Sequence, residues 1–170
     1  MKRAGMRGVT VMELMVVVAL SGIVTGMAGF TAQGIRERFA AEQQVREMYR
    51  DMVNARIRAF ERKRAHFVLV TTNGYQIAED TNESGGTMPD PGDMTLWSAP
   101  KQFKFDSLWN GTVIMDKNGI ISKSGDPILT TTALSIWFDT AGNNPEYDCI
   151  SAGPTRISEG RWDGRQCVAR

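Results

Sequence analysis

Histidine, the side chain most often used for acid–base catalysis, occurs once in this 170-residue chain. A Ser/His/Asp or Cys/His catalytic arrangement could therefore be built only around His66. His66 begins a segment with the character of a strand, and we interpret it as structural or exposed. No Gly-rich loop of the phosphate-binding kind is present. The sequence predicts a protein that is not an enzyme and has no cofactor.

The two cysteines, Cys149 and Cys167, lie near the C-terminus. An even pair is typical of a disulfide in an oxidising compartment, whereas a zinc site requires more ligands at closer spacing. Two free, buried thiols in a cytosolic protein are the alternative. A bridge would close a loop of about 18 residues and add roughly 3 kcal/mol to the free energy of unfolding.

Acidic side chains cluster between Glu79 and Asp93, a stretch that contains no Lys or Arg. Carboxylates are the ligands that calcium prefers, so this cluster could hold a calcium ion. Their spacing matches no EF-hand pattern, and a solvated acidic loop is the favoured interpretation. The residues concerned are Glu79, Asp80, Glu83, Asp90 and Asp93.

The balance of charges, 20 Lys and Arg against 19 Asp and Glu, gives a net charge of +1. This value does not indicate a general electrostatic attraction to nucleic acid. Locally, however, the C-terminus is basic, and we interpret its arginines as a solvated rim on the last hairpin. They are Arg156, Arg161, Arg165 and Arg170, with Trp162 among them.

A carboxylate, Glu13, is the single charged side chain between Val9 and Ala32. An apolar run of this length is sufficient to cross a bilayer as a helix. A carboxylate within it costs about 2.5–3.5 kcal/mol on insertion scales, so a partner is required to offset Glu13. Two alternatives remain open: a secretory signal peptide cleaved among the small residues at 28–32, and a Glu13 that reaches water at the headgroup level.

The pattern after Gly34 predicts that the helix continues to about Arg64. Apolar residues recur at spacings of three and four, which is typical of one face of an amphipathic helix. These positions are Val45, Met48, Tyr49, Met52, Val53, Ile57 and Phe60. We therefore expect four segments, namely a leader at 1–8, an apolar helix half at 9–33, an amphipathic half at 34–64 and a β-rich domain at 65–170.

The segment after His66 changes to strand character. A hairpin is expected at 67–72 and 75–78 around the turn Asn73-Gly74, followed by a loop at 81–93. Further strands are expected at 101–105, 112–116, 119–122, 134–138, 148–151, 155–158 and 166–169. Antiparallel strands after a long helix predict an α+β fold.

The segment Gly8-Val9-Thr10-Val11-Met12-Glu13-Leu14-Met15-Val16-Val17-Val18 closely resembles the leader junction of type IV pilins and type II secretion pseudopilins. The resemblance implies that a membrane peptidase cleaves between Gly8 and Val9, that Val9 is then N-methylated, and that Glu13 is the fifth mature residue. Two departures stand out. Val9 replaces the usual Phe, and Phe30 stands near the place of a Pro that often kinks this helix.

The downstream half resembles, more weakly, the minor pseudopilins of the GspH/FimT type, through segments 54–59, 136–142 and 156–161. Some minor pilins of this branch bind DNA through C-terminal arginines in a Gly-Arg-x-Arg arrangement. The resemblance thus makes the four C-terminal arginines candidate DNA contacts. Gly160-Arg161-Trp162-Asp163 and Gly164-Arg165-Gln166-Cys167 both lack the second Arg of that arrangement.

The fold that the resemblance implies is a pilin fold, α+β. Its long N-terminal helix would be transmembrane in the first half and packed by its second half on an antiparallel sheet. The chain would sit in the bacterial inner membrane with a cytoplasmic N-terminus and a periplasmic domain, and then enter a pilus or pseudopilus. The family also points to a disulfide between Cys149 and Cys167 at the C-terminus.

The function implied is that of a minor pilin or pseudopilin, a structural subunit of a hetero-oligomeric helical filament. Its partners would be other pilin subunits, the prepilin peptidase/N-methyltransferase and the inner-membrane assembly platform. In that setting, Glu13 would pair with the α-amine that cleavage creates on a neighbouring subunit. A DNA-binding minor pilin of natural transformation and a plain membrane-anchored periplasmic binding domain are the alternatives.

Overall fold

The computed structural model describes residues 10–125, 133–140 and 142–170 of the chain, and side chains 27–33 are outside the description. The predicted leader at 1–8, the cleavage site at Gly8 and Val9, and the N-methylation site at Val9 also lie outside the described residues. The structure therefore does not test these predictions.

A long α-helix, α1, covers Val11–Arg62. Thr10 precedes it as the N-cap, because its Oγ1 accepts a hydrogen bond from the Glu13 backbone N–H over 3.3 Å. The helix ends at Arg62, and the next residue, Lys63, has a left-handed φ of 56° that interrupts the helical hydrogen-bond ladder. The predicted helix, from Val9 to about Arg64, agrees with these limits to within two residues at either end.

The strands following α1 form two antiparallel sheets. The first sheet contains β1 His66–Thr71, β2 Gly74–Glu79, β3 Met94–Thr95, β4 Lys101–Gln102, β5 Gly111–Met115 and β6 Ile121–Lys123. Its order is β3-β2-β1-β5-β6, and β4 also pairs with β2. The second sheet contains β7 Leu134–Trp137, β8 Cys149–Ala152, β9 Ile157–Trp162 and β10 Cys167–Ala169, in the order β10-β9-β8-β7.

The chain divides into two compact units, Met1–Glu37 and Arg38–Arg170. The second unit has a hydrophobic core in which part of the predicted apolar stripe of α1 meets both sheets, whereas Ile57 and Phe60 of that stripe are exposed. Helix side chains in it are Val45, Met48, Met52, Ala55 and Ala59, and strand side chains include Val68, Ile77, Val113, Met115, Ile136 and Ile150. Spacings of three and four along α1 bring the helix residues onto one face, which explains their joint burial.

The expected transmembrane half of the helix is contradicted. Within the part of the chain that the structure describes, no helix combines the length and the apolarity needed to cross a membrane. The described part of this stretch contains Ser21, Gly22, Thr25 and Gly26 among its apolar side chains, together with the charge of Glu13. The pilin fold with a membrane-spanning first half, the transmembrane keyword and the single-pass inner-membrane location were therefore wrong predictions.

Some predicted strands agree with the structure, and others differ from it in length or were not predicted. The hairpin β1–β2 closes at Asn73-Gly74 as predicted, with Thr71 paired to Gly74. Strand β9 begins at Ile157 and runs to Trp162, four residues beyond the predicted end. Strand β3 was missed, because a two-residue strand leaves no periodicity to detect.

Candidate functional site

The start of α1 holds Glu13 in the first helical turn. Thr10 and Glu13 have the spacing of a capping box, in which Ser or Thr at the N-cap is followed three residues later by Glu or Gln. The positive end of the helix dipole also favours a carboxylate at this position. Glu13 therefore has a local role in beginning the helix, which sequence reasoning overlooked although the Thr-x-x-Glu signal was present.

The described side chains of α1 between Val11 and Val24 form an exposed apolar surface, called here the apolar helix surface. Ten large apolar side chains in it are at least half exposed, ranging from 52% for Val16 to 80% for Val11. They are Val11, Met12, Leu14, Met15, Val16, Val17, Val18, Leu20, Ile23 and Val24. A contiguous apolar patch of this kind marks a surface that binds another apolar surface.

A second feature, here called the lateral groove, lies within the unit Arg38–Arg170. It has a volume of about 660 Å³ and runs along α1 beside the turns at 118–119 and 155–157. Its apolar lining comes from Tyr49, Val53, Ile57, Phe60 and Ile157, and its charged lining comes from Arg56, Glu61 and Arg156. Ile57 and Phe60 are 49% and 57% exposed, so the groove is open to solvent.

His66 is the first residue of β1 and is fully buried, beside the buried Glu79 of β2. Its Nδ1 is 3.2 Å from the Arg64 carbonyl oxygen, and its Nε2 is 3.8 Å from Glu79 Oε2. Burial lowers the pKa of His66 below its ordinary value, and this outweighs the opposing effects of the Arg64 carbonyl and Glu79. His66 is structural, as the sequence indicated, although it is buried rather than exposed.

Glu79 was assigned to the acidic loop, but the structure buries it at the end of β2. Arg62 Nη1 donates to Glu79 Oε2 over 2.6 Å, and Arg64 Nη1 lies 3.6 Å from Oε1. The two arginines flank the end of α1, so that the carboxylate joins the helix terminus to the first sheet. Glu79 therefore has a structural role, and it lies in β2 rather than with the other acids in the loop.

Asp80 and Asp90, two of the remaining acids of the predicted loop, are held by local hydrogen bonds. Asp90 Oδ1 accepts hydrogen bonds from Asn82 Nδ2 and the Gly92 N–H, and these hydrogen bonds, together with one involving Ser84, lower the pKa of Asp90. Asp80 accepts from the backbone N–H groups of Ser84 and Gly85. Among the described residues, no group of three or more His, Cys, Asp or Glu side chains is arranged to hold a metal ion.

A polar cluster that the sequence did not predict joins α1 to β2 and β4. Lys101 Nζ donates to Glu47 Oε1 over 2.7 Å and to Asp51 Oδ2 over 2.6 Å. Burial alone would lower the pKa of Lys101, but the hydrogen bonds to Asp51 and Glu47 outweigh it and raise the pKa. Tyr75 Oη donates to the same Asp51 oxygen over 2.5 Å, and burial followed by this hydrogen bond raises the pKa of the phenol.

Cys149 and Cys167 form a disulfide between β8 and β10, which confirms the predicted pairing. The bridge crosses β9 at Gly160, which pairs with Cys149 of β8 on one side and with Ala169 of β10 on the other. A Cβ at Gly160 would lie 2.9 Å from Cys167 Sγ, so the site accepts only glycine. The disulfide therefore links β8 to β10 across β9, and so holds together three of the four strands of the second sheet.

The C-terminal arginines are distributed along the β9–β10 hairpin. Arg156 precedes β9 and lines the lateral groove, whereas Arg165 lies in the turn beyond its other end. Six residues of strand separate these two positions, roughly 20 Å at 3.4 Å per residue. Arg161 donates to Asn144 Oδ1, and Trp162 stacks on Trp137 with ring centroids 4.3 Å apart. The hypothesis that these arginines contact DNA stays a prediction.

Comparisons with protein-family models, with curated proteins and with solved structures found no match to this chain. The resemblance of residues 8–18 to a prepilin junction therefore rests on those residues alone.

Proposed function

We propose that this chain is a structural subunit of a bacterial helical filament, a minor pilin or pseudopilin of a type IV pilus or a type II secretion machine. In this proposal, a prepilin peptidase cleaves between Gly8 and Val9, Val9 is N-methylated, and the subunit assembles through α1. The role is structural rather than catalytic.

The observation that carries the proposal is the exposure of the apolar helix surface. Leaving an apolar side chain such as Leu20 in water forfeits about 1.5–3 kcal/mol relative to its burial. Ten such side chains, each at least half exposed, make a strong driving force for association with other apolar helices. Helices that pack side by side in a filament would supply the missing cover.

Glu13 adds specificity to this association. Cleavage after Gly8 would create an α-amine that is cationic near neutral pH. In a staggered bundle of helices, the amine of one subunit reaches the Glu13 carboxylate of its neighbour, and each charge then has a partner. Removing either partner leaves an unpaired buried charge, which typically costs about 3–5 kcal/mol. Glu13 would therefore set the register between subunits.

The test is to measure leader processing and filament incorporation for Glu13 variants in the bacterium that makes the protein. Mass spectrometry of the N-terminus should find mature protein that begins at N-methylated Val9. Glu13→Ala should leave expression and cleavage intact but strongly reduce the amount of protein in sheared filaments. An intact Met1 in all material would contradict the proposal.

A matched pair of variants separates the two roles of Glu13. Glu13→Gln retains the capping-box pattern but removes the charge, whereas Glu13→Ala removes both. Charge pairing with a neighbouring amine predicts that Glu13→Gln incorporates as poorly as Glu13→Ala. If Glu13→Gln incorporates normally, Glu13 acts only in beginning the helix. Glu83→Gln, in an exposed loop, is the control for loss of a carboxylate.

A further inference from the structure

We propose that the lateral groove is the receptor for the apolar helix surface of a second copy of this chain, with Glu13 of that copy against Arg156. The inference rests on the proposed function, because it names the surface that one subunit offers to another. It differs from that proposal in the partner of Glu13, which here is Arg156 of the receiving copy in place of a neighbour's α-amine. It goes beyond that function by placing a contact on the β-containing unit Arg38–Arg170.

The groove has the dimensions and lining of a site for one face of a helix. Its α1 wall runs from Tyr49 to Glu61, which is about 18 Å at 1.5 Å per residue. Tyr49, Val53, Ile57 and Phe60 recur along this wall at spacings of three and four and present a continuous apolar strip. Amphipathic helices bind such grooves through side chains at i, i+3, i+4 and i+7.

The apolar helix surface offers a matching set of anchors. Glu13, Val16, Val17 and Leu20 have the spacing i, i+3, i+4 and i+7, and Val24 continues the same face by one further turn. The four apolar members of this set are 52–67% exposed. Glu13 thus stands at one end of a stripe that extends about 16.5 Å to Val24, close to the length of the α1 wall of the groove.

The charges of the two surfaces are complementary. The described part of α1 before residue 27 carries a single charge, that of Glu13. The groove carries Arg56 and Arg156 against one acid, Glu61. Arg56 Nε donates to the Gly119 carbonyl oxygen over 2.7 Å, which fixes its guanidinium at the groove. Arg156 is exposed and, among the described residues, forms no salt bridge, so it is available to an incoming carboxylate.

The occupant is therefore an apolar helix with one acidic residue at its end, and a second copy provides it. A basic amphipathic helix would place like charges against Arg56 and Arg156, and like-charge contacts disfavour a wrong partner. A small apolar ligand would leave the excess positive charge of the groove, two arginines against the single acid Glu61, without a counter-charge.

Site-specific photo-crosslinking of the full chain in producing cells tests the inference. The photoreactive residue p-benzoylphenylalanine is placed at position 60 in the groove, at position 17 in the apolar helix surface, or at position 108. Leu108 is 55% exposed and does not line the groove, so position 108 is the matched control. Mass spectrometry then identifies the crosslinked peptide.

The probe at position 60 should capture residues 11–24 of a second copy, and the probe at position 17 should capture the groove. The probe at position 108 should not capture residues 11–24. Arg156→Glu should reduce the yield at position 60 by roughly two- to fivefold, as expected for one exposed charge pair. Arg165→Glu, at the far end of β9, should leave that yield unchanged.

Each other outcome overturns the inference in a distinguishable way. Capture at position 60 of a β-strand peptide, or of a different protein, assigns the groove to another partner. Capture of other copies at position 17 but none at position 60 overturns the groove and leaves the proposed function standing. Absence of any capture at positions 17 and 60 contradicts both the groove and assembly through α1.

Discussion

Arg62 and Glu79 form an ion pair of 2.6 Å that ties the C-terminal end of α1 to strand β2. The carboxylate is buried, with a side-chain exposure of 2%, whereas half of the arginine side chain is exposed. Arg64 and His66 also face Glu79, at 3.6 and 3.8 Å. The end of the helix and the start of the first sheet are thereby fixed around one buried charge.

Arg62→Met should destabilise the chain because it leaves Glu79 buried with the more distant Arg64 as its remaining close cation. Breaking a fully buried pair costs about 3–5 kcal/mol, and the half-exposed arginine reduces the expected loss to about 1–3 kcal/mol. Urea unfolding of the full chain, followed by tryptophan fluorescence, measures it. Arg50→Met, on an exposed part of α1, is the control, and equal stability of the two variants would rule out this role for Glu79.

His66 should make the stability of the fold depend on pH. Because burial lowers its pKa in the folded state, the unfolded state binds the His66 proton more tightly. The contribution is fully present above the model-peptide pKa of 6.5 and is lost as the pH falls from 6.5 through the lower folded-state pKa. The slope is at most about 1.4 kcal/mol per pH unit.

The variant His66→Asn isolates this term, because an amide N–H can still reach the Arg64 carbonyl oxygen but does not titrate. We expect the free energy of unfolding of the unmodified chain to fall more steeply than that of the variant between pH 7.5 and pH 5. Asp148, whose pKa is raised by burial, is common to both proteins and cancels in the difference. Parallel pH profiles for the two proteins would show that His66 does not titrate in this window.

Reduction of the disulfide should lower the free energy of unfolding by roughly 3 kcal/mol, because the bridge closes a loop of 18 residues. The measurement is urea unfolding with and without dithiothreitol. The double variant Cys149→Ala/Cys167→Ala should be less stable by a similar amount and insensitive to the reductant. A reductant effect of the same size on the double variant would show that the bridge is not the cause.

The elements that the sequence predicted are those with a local signal. The helix follows from the recurrence of apolar residues from Val45 to Phe60, and the β1–β2 hairpin follows from Asn73-Gly74 between two apolar runs. The disulfide was predictable because only Cys149 and Cys167 were available, and both lie in the C-terminal region. The helix and the hairpin each depend on residues that are close in the sequence. The disulfide depends on there being one possible pair of cysteines.

The elements that the sequence missed depend on contacts between distant residues. Lys101 contacts Glu47 and Asp51, which lie 54 and 50 residues earlier in the chain. Charged residues are common enough that no pattern singles out this set. Glu79 was taken for a loop acid because only the folded chain brings Arg62 and Arg64 beside it. The transmembrane prediction rested on the length and apolarity of one run, and within the described residues no helix is long and apolar enough to cross a membrane.

Gly160→Ala should destabilise the second sheet, because a Cβ at this position would overlap the Val168 carbonyl oxygen and lie 2.9 Å from Cys167 Sγ. The carbonyl belongs to the backbone of β10, which is fixed by its pairing with β9, so neither neighbour can move away cheaply. Overpacking of this kind typically costs about 1–3 kcal/mol. Gly34→Ala is the matched control, because a Cβ there meets nothing within 4 Å and alanine favours the helix by about 0.5–1 kcal/mol. In the Cys149→Ala/Cys167→Ala background, most of the Gly160→Ala penalty should persist, since the carbonyl overlap remains. If the penalty disappears with the sulfur atoms, the disulfide rather than the β10 backbone sets the requirement for glycine.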